Sequence, residues 1–333
     1  MEKHLTFDEI KECILGAERF LKSDLSVRPC RFTEEEQVSY RNNPDFYRKT
    51  FSNSNMIISF FTDAEKVILK YDAKSASSRV FCYLDAKVDG IMTAHCGLED
   101  VRNSSTLTME LTLTGKKCKV EIFLPPLAEV EIRELVLENA SFFETAPRKK
   151  LIVSYGDSIT QGYDAKFPAC SYTALLAEEL EAELINKAIG GDIYNAALVN
   201  AGKNTRKVDL VTTAYGTNDW SKCARKDLFE NCENFFAALT QLYPATPIAA
   251  LLPIWRKDHA RETAAGNFFE VRNEMRKIMK KYPGIHVIDG LSLTPHVAEF
   301  YSDAYLHPND HGFMFMGENL VRELKKSIPS LWS

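Results

Sequence analysis

Four short polar clusters carry side chains able to do acyl-group chemistry. They are Gly156-Asp157-Ser158-Ile159-Thr160, Ile189-Gly190-Gly191-Asp192, Gly216-Thr217-Asn218-Asp219 and Asp303-Ala304-Tyr305-Leu306-His307-Pro308. A serine hydroxyl is a weak nucleophile until a neighbouring base takes its proton, and the base needs an orienting partner. A tetrahedral intermediate also needs donors already aimed at its oxyanion. Ser158 is the candidate nucleophile, His307 the candidate base and Asp303 its candidate orienter. The Ser158 N–H, the Gly191 N–H and the Asn218 side-chain amide are the candidate oxyanion donors; Gly191 has no side chain to obstruct approach.

For these groups to meet, the elements between them must bring distant loops together. Each of the first three clusters follows an apolar run, and the fourth precedes the last helix pattern. After residue 150 the runs LIVSYGDS (151–158), LINKAIGG, VDLVTTAYG, IAALLPIW and IHVIDG alternate with helix patterns at 171–184, 228–243, 262–282 and about 311–327. That alternation predicts a parallel five-stranded sheet with helices on both faces. The carboxyl ends of its strands share one rim, where such sheets bind ligands.

The first half has another grammar. After a helix expected at about 7–22, the runs 56–62, 66–74, 79–90, 106–115, 119–126 and 129–138 are short and rich in Val, Ile, Phe, Thr and Tyr. Turn residues separate them, which suits an antiparallel sandwich. Thr106–Thr114 alternates almost strictly, so one face should be wet. The change falls near Pro147-Arg148-Lys149-Lys150. The expected organisation is therefore an accessory β-sandwich, jelly-roll-like, over residues 1–147 and a catalytic α/β domain over 148–333.

Composition narrows the classes. With 45% hydrophobic and 26% charged residues, the 333-residue chain has the proportions of a globular protein. A net charge of −5 argues against a nucleic-acid partner. No apolar run approaches the roughly 20 residues needed to cross a bilayer. The N-terminus lacks a signal-peptide core, so a cytoplasmic location is the expectation. The eight cysteines form no C-x-x-C pair and are expected to be reduced thiols. His4, His95, His259, His286 and His296 have no metal-ligand spacing, and Gly190-Gly191 lacks the dinucleotide pattern. No metal or cofactor is implied.

The order GDSIT, then NKAIGG, then GTND, then an acid before His307-Pro308 resembles the four conserved blocks of the SGNH (GDSL-like) hydrolases. The resemblance covers about residues 151–327. It implies a flavodoxin-like sheet, with Ser158, Gly191, Asn218 and His307 in the four roles that name the family. The G-x-S-x-G elbow of other α/β-hydrolases is absent, since residue 160 is Thr. The family commonly places Asp three residues before its His; here residue 304 is Ala and Asp303 lies four before. Asp303 is the favoured orienter, with a backbone carbonyl as the alternative. The first half more weakly resembles the β-sandwich that precedes the SGNH domain in carbohydrate acetyl esterases, carried by KVEIFLPP and VEIRELVL.

That resemblance implies a small-molecule or oligosaccharide ester as substrate, with acetyl the favoured acyl group. A lipase-like or thioester acylhydrolase, and a non-catalytic carbohydrate-binding protein on a hydrolase scaffold, are the rival readings. Trp220, Trp255 and Arg256 follow the third and fourth strands and are candidate substrate contacts, weighed against simple core packing. Asp157 is expected to bond loop amides, and Asp310 to cap the last helix.

Overall fold

The computed structural model describes residues 2–332. In the first half, alternating burial along the strands creates two antiparallel sheets. One contains, in spatial order, Glu2–His4, Ala128–Glu138, Lys66–Ser75 and Ser105–Thr112. The other runs Phe143–Thr145, Ile57–Thr62, Cys118–Phe123, Cys82–Val88 and Ile91–Leu98, with Ile14–Leu15 pairing on Ile57–Thr62. In Lys66–Ser75, Val67, Leu69, Tyr71 and Ala73 face inward and join Phe60, Val120 and Ile122 in one core. Thr106, Thr108, Glu110 and Thr112 face water, as the alternation predicts.

Two local expectations fail here. The N-terminal helix spans only Phe7–Glu12, held by a Thr6–Glu9 capping box. The chain then turns so that Ile14 and Leu15 pair with Ile58 and Ile57, and strand pairing overrides the helical spacing beyond Cys13. The strand Ile91–Leu98 was not expected. It is a sheet edge, largely exposed, and its residues do not alternate cleanly.

The second half forms a five-stranded sheet, parallel throughout, in the order Ala182–Asn186, Lys150–Gly156, Leu210–Ala214, Ile248–Leu251, Ile285–Ile288. This 2-1-3-4-5 order is the flavodoxin-like one. Helices Tyr172–Glu179 and Asp310–Ser327 pack together against one face around Tyr172, Phe313 and Met316. Helices Ala196–Ala201, Arg225–Leu242 and Phe268–Met279 cover the other around Tyr155, Phe235 and Met275. Burial on both faces explains why these strands are apolar runs without alternation. The helix expected at 171–184 stops at Glu179, because Ala182–Asn186 is already strand.

Residues 28–55 contain a feature that has no strand or long-helix signature. Short helices Glu34–Val38 and Pro44–Lys49 lie between sandwich strands, yet Cys30, Phe32 and Tyr40 pack in the α/β core beside Tyr155, Ile189 and Tyr194. Arg31 locks this segment in place. It is fully buried, and all five of its N–H donors are used. Nη1 donates to the carbonyls of Asn186 (2.6 Å) and Ala188 (2.7 Å). Nε donates to Ser52 O (3.0 Å), and Nη2 to Lys49 O (3.0 Å) and Ser52 Oγ (3.1 Å). Burial pushes its guanidinium below the usual range, so these carbonyls are what make the buried cation tolerable.

Arg31→Ala strands four carbonyls and should destabilise the protein by at least about 3 kcal/mol, measured by urea unfolding. Arg31→Lys, with three donors, should recover only part of the loss.

Candidate active site

The strand Lys150–Gly156 ends in Asp157, whose Oδ1 accepts the Ile159 N–H at 3.0 Å and caps the short helix Ser158–Gln161. This turn lifts Ser158 onto the sheet rim, where it is 5% exposed. His307 arrives from the loop before the last helix. Its Nε2 lies 2.9 Å from Ser158 Oγ, and its Nδ1 lies 2.7 Å from Asp303 Oδ2. A hydroxyl, an imidazole and a carboxylate thus stand in line, as proton abstraction from serine requires.

The acid four residues before the histidine reaches it because Ala304 takes a left-handed φ of 55° and absorbs the extra residue. Asp303 Oδ1 accepts the N–H groups of Tyr305 (2.9 Å), Leu306 (2.7 Å) and His307 (3.1 Å), which fixes the loop. Burial disfavours the Asp303 anion. The His307 bond and these backbone donors outweigh burial and hold the carboxyl well below the usual range.

Gly191 has a φ of +91°, a conformation that favours glycine, and a Cβ there would lie 3.3 Å from the Phe46 ring. At Gly190 a Cβ would collide with the Tyr163 ring at 2.4 Å, so each glycine has its own reason. The loop is held at many points. Gly190 N donates to Gln161 Oε1 (2.6 Å), Lys49 Nζ to Gly190 O (2.8 Å), and Lys222 Nζ to Gly191 O (2.7 Å). Among the described residues, the N–H groups of Ser158 and Gly191 have no acceptor, which leaves them available to an oxyanion. Asn218 sits in the helix Thr217–Lys222, and its Nδ2 donates to Asp192 O at 3.0 Å. That bond fixes the amide against the Gly191 loop.

Three carboxyl groups in or near this loop, Asp157, Asp192 and Asp219, are buried. Burial raises Asp157 and Asp192 to about 6 and Asp219 to about 7. Tyr40 Oη donates to Asp192 at 2.7 Å, and the N–H groups of Tyr194 (3.0 Å) and Gly216 (3.1 Å) donate to Asp219.

The expected substrate contacts fare differently. Trp220 is fully buried, with Nε1 bonded to Gly266 O at 2.8 Å and Phe268 at its edge; it is core and offers no surface. Arg256 is also buried. It donates to Thr217 O (3.0 Å), Thr217 Oγ1 (2.9 Å) and Asp258 Oδ1 (2.5 Å), and lies over the Trp220 ring. Its Nη2 donates to Asp258 Oδ2 (3.1 Å) and to Tyr305 Oη, so it braces the loops and no donor is left for a ligand. Trp255 is half-buried, stacked on His296 and tilted against Tyr301. Asp310 does not cap the last helix. Asn309 does, through the Gly312 N–H at 3.0 Å, because Asp310 turns to accept the Phe167 N–H at 3.0 Å. Sequence reasoning missed Arg31, Tyr40, Phe46 and Lys49, which lie over 100 residues from the loop they hold. It also missed Arg79, Tyr163 and Asp164 around the imidazole. Only GDSITQGYDA offered a signal, for the last two.

Fold and geometry together define a serine-hydrolase type of α/β domain. Residues 154–314 match the GDSL-like Lipase/Acylhydrolase family, and this half of the chain is an SGNH/GDSL-type esterase domain, a carboxylic ester hydrolase. No curated protein matches the chain by sequence. Solved structures match over nearly the whole length. A salicylyl-acyltransferase, SsfX3, of a tetracycline biosynthetic pathway is 21% identical, with 94% of each chain covered and a TM-score of 0.79. A Bacteroides ovatus protein described as a GDSL-like lipase is 19% identical, covering 99% of this chain and 98% of that one, TM-score 0.76. A family two carbohydrate esterase from Cellvibrio japonicus is 17% identical, covering 100% and 99%, TM-score 0.67. At these identities the likeness establishes the shared fold, a β-rich region followed by the α/β domain.

The buried acids give a pH prediction. Their folded pKa values are raised, so the folded state binds more protons than the unfolded one between about pH 4 and 7. Their contribution to stability is full below about pH 4 and is lost as pH rises through 6 to 7. Asp157→Asn should remove its share, so the variant's stability relative to wild type rises from pH 4.5 to 7.5 in urea titrations.

Proposed function

We propose that the protein is a serine esterase that removes a short acyl group, acetyl foremost, from a carbohydrate or small glycoconjugate. The observation that carries the reading is the continuous contact from Ser158 Oγ through His307 to Asp303. His307 Nε2 takes the Ser158 proton as Oγ attacks the ester carbonyl. The N–H groups of Ser158 and Gly191 and the Asn218 amide hold the oxyanion. As the intermediate collapses, the alkoxide leaving group takes the proton from His307. Water then gives its proton to His307 and attacks the acyl-enzyme, releasing the acid and regenerating Ser158. Asp303 keeps the imidazole oriented and stabilises its charged form.

The carbohydrate part of the reading draws on two supports. Carbohydrate esterases are among the structures that share the two-part build. Half-buried Trp255, stacked on exposed His296, gives an aromatic patch of the kind that packs against sugar rings.

A fluorophosphonate probe should label wild-type protein and not Ser158→Ala; absence of labelling in folded wild type would favour a non-catalytic binding protein. Asn218→Ala should lower kcat by about 10²- to 10³-fold while the protein still folds, with stability reduced by about 1 kcal/mol for the lost bond to Asp192 O. Wild-type turnover in that variant removes Asn218 from the oxyanion hole. On a ladder of acyl lengths, acetylated sugars should be the preferred substrates. A preference for long chains would replace the acetyl reading with a lipase-like one.

A further inference from the structure

A second carboxylate stands behind the imidazole, unused by the reaction as written. Asp164 Oδ2 lies 4.0 Å from His307 Nδ1, on the segment that follows the Ser158 helix. It belongs to a bidentate ion pair with Arg79 of the sandwich half: Nε donates to Oδ1 at 2.5 Å and Nη2 to Oδ2 at 2.9 Å. Ser302 Oγ donates to the same Oδ2 at 2.6 Å, and the Ser302 N–H donates to the His307 carbonyl at 2.8 Å. The Arg79 guanidinium also lies 5.4 Å over the ring of buried Tyr163, and that ring stacks on His307 at 5.7 Å.

This arrangement poses an electrostatic problem. A base must be neutral before attack and charged after it. One carboxylate at Nδ1 orients the ring, but a second, uncompensated anion would favour its charged form over the neutral form that a base needs. A cation fixed on the outer carboxylate cancels most of that second charge. We propose that Arg79 and Asp164 form a charge-compensated pair that sets the pH at which His307 works, so that the sandwich half supplies a positioning residue to the active site. The inference rests on His307 being the catalytic base. Other charged groups at the imidazole are Asp303 on its own loop and Asp157 beside the nucleophile, with Lys222 at the Gly191 carbonyl. Burial disfavours the Asp164 anion, but the Arg79 and Ser302 bonds prevail and keep its carboxyl below the usual range, so the second anion is present throughout the working pH.

The test reads the imidazole itself. In full-length protein labelled with 15N-histidine, the His307 signals, assigned by their loss in His307→Gln, are titrated by NMR in Arg79→Met, Asp164→Asn and the double variant. Arg79→Met should move the midpoint to higher pH by about half a unit, and Asp164→Asn to lower pH by about one unit. The double variant should return toward wild type, and the acidic limb of kcat/KM should follow the same order. A merely structural role would not give shifts of opposite sign that cancel. Midpoints that move in one direction, or not at all, overturn the proposal. If Arg79→Met does not fold, an acid shift in Asp164→Asn with a wild-type midpoint in Arg79→Lys supports it, and any other pattern overturns it. Because titration is read without turnover, an inactive wild type would sink the esterase reading alone, and unmoved midpoints in an active enzyme would sink this inference alone.

Discussion

The buried Arg31 guanidinium is the constraint on which the arrangement depends. A cation removed from water with no carboxylate bonded to it is costly; here four carbonyls and one hydroxyl take up its N–H groups, and the Phe32 ring lies 4.6 Å from the guanidinium. Those acceptors come from two places: the segment 28–55 at Lys49 and Ser52, and the chain leaving the strand Ala182–Asn186. The cation is satisfied only while both are in register. The same segment contributes Tyr40 to Asp192 and Lys49 to the Gly190 carbonyl. The loop bearing Gly191 is therefore held by the first half of the chain, from beneath and from the side, rather than by its own strand alone.

The opposite wall of the site follows the same logic with charges. Arg79 reaches from the sandwich to Asp164, and Asp164 reaches to the loop of His307. One half thus touches the site twice, at the Gly191 loop and at the imidazole, with a cation taking part at each. Against this stands an electrostatic burden, three buried carboxyl groups around the Gly191 loop. They hold Tyr194, Gly216 and Ile159 amides in place. Their own ionisation is disfavoured by burial, so the loop geometry is obtained at some expense of stability near neutrality.

Particular residues show how far patterns along the chain can be trusted. The five parallel strands were legible because both faces are buried, which leaves uninterrupted apolar runs. Ser158, His307 and Asp303 were legible because each sits in a short polar cluster just past such a run or before the last helix. Trp220 and Arg256 misled because position on a rim says nothing about inward or outward orientation; both point into the protein. Ile91–Leu98 was invisible because an exposed edge strand needs no apolar alternation. The segment 28–55 was invisible for a related reason: its helices span five and six residues, too short for a period to register.

Local chemistry along the chain set the elements and the identities of the candidate reacting groups. Hydrophobic periodicity selects strand or helix over a few residues, and a nucleophile, a base and an acid are recognisable by type. What folding alone decided was the company these groups keep. Arg31 and Arg79 meet their partners across 155 and 85 residues of chain, through contacts that leave no periodic trace. Ala304 becomes the residue that lets Asp303 reach His307 only once its backbone turns left-handed. Charge compensation, loop support and side-chain direction depend on distances through space, and the order of residues does not encode those distances locally.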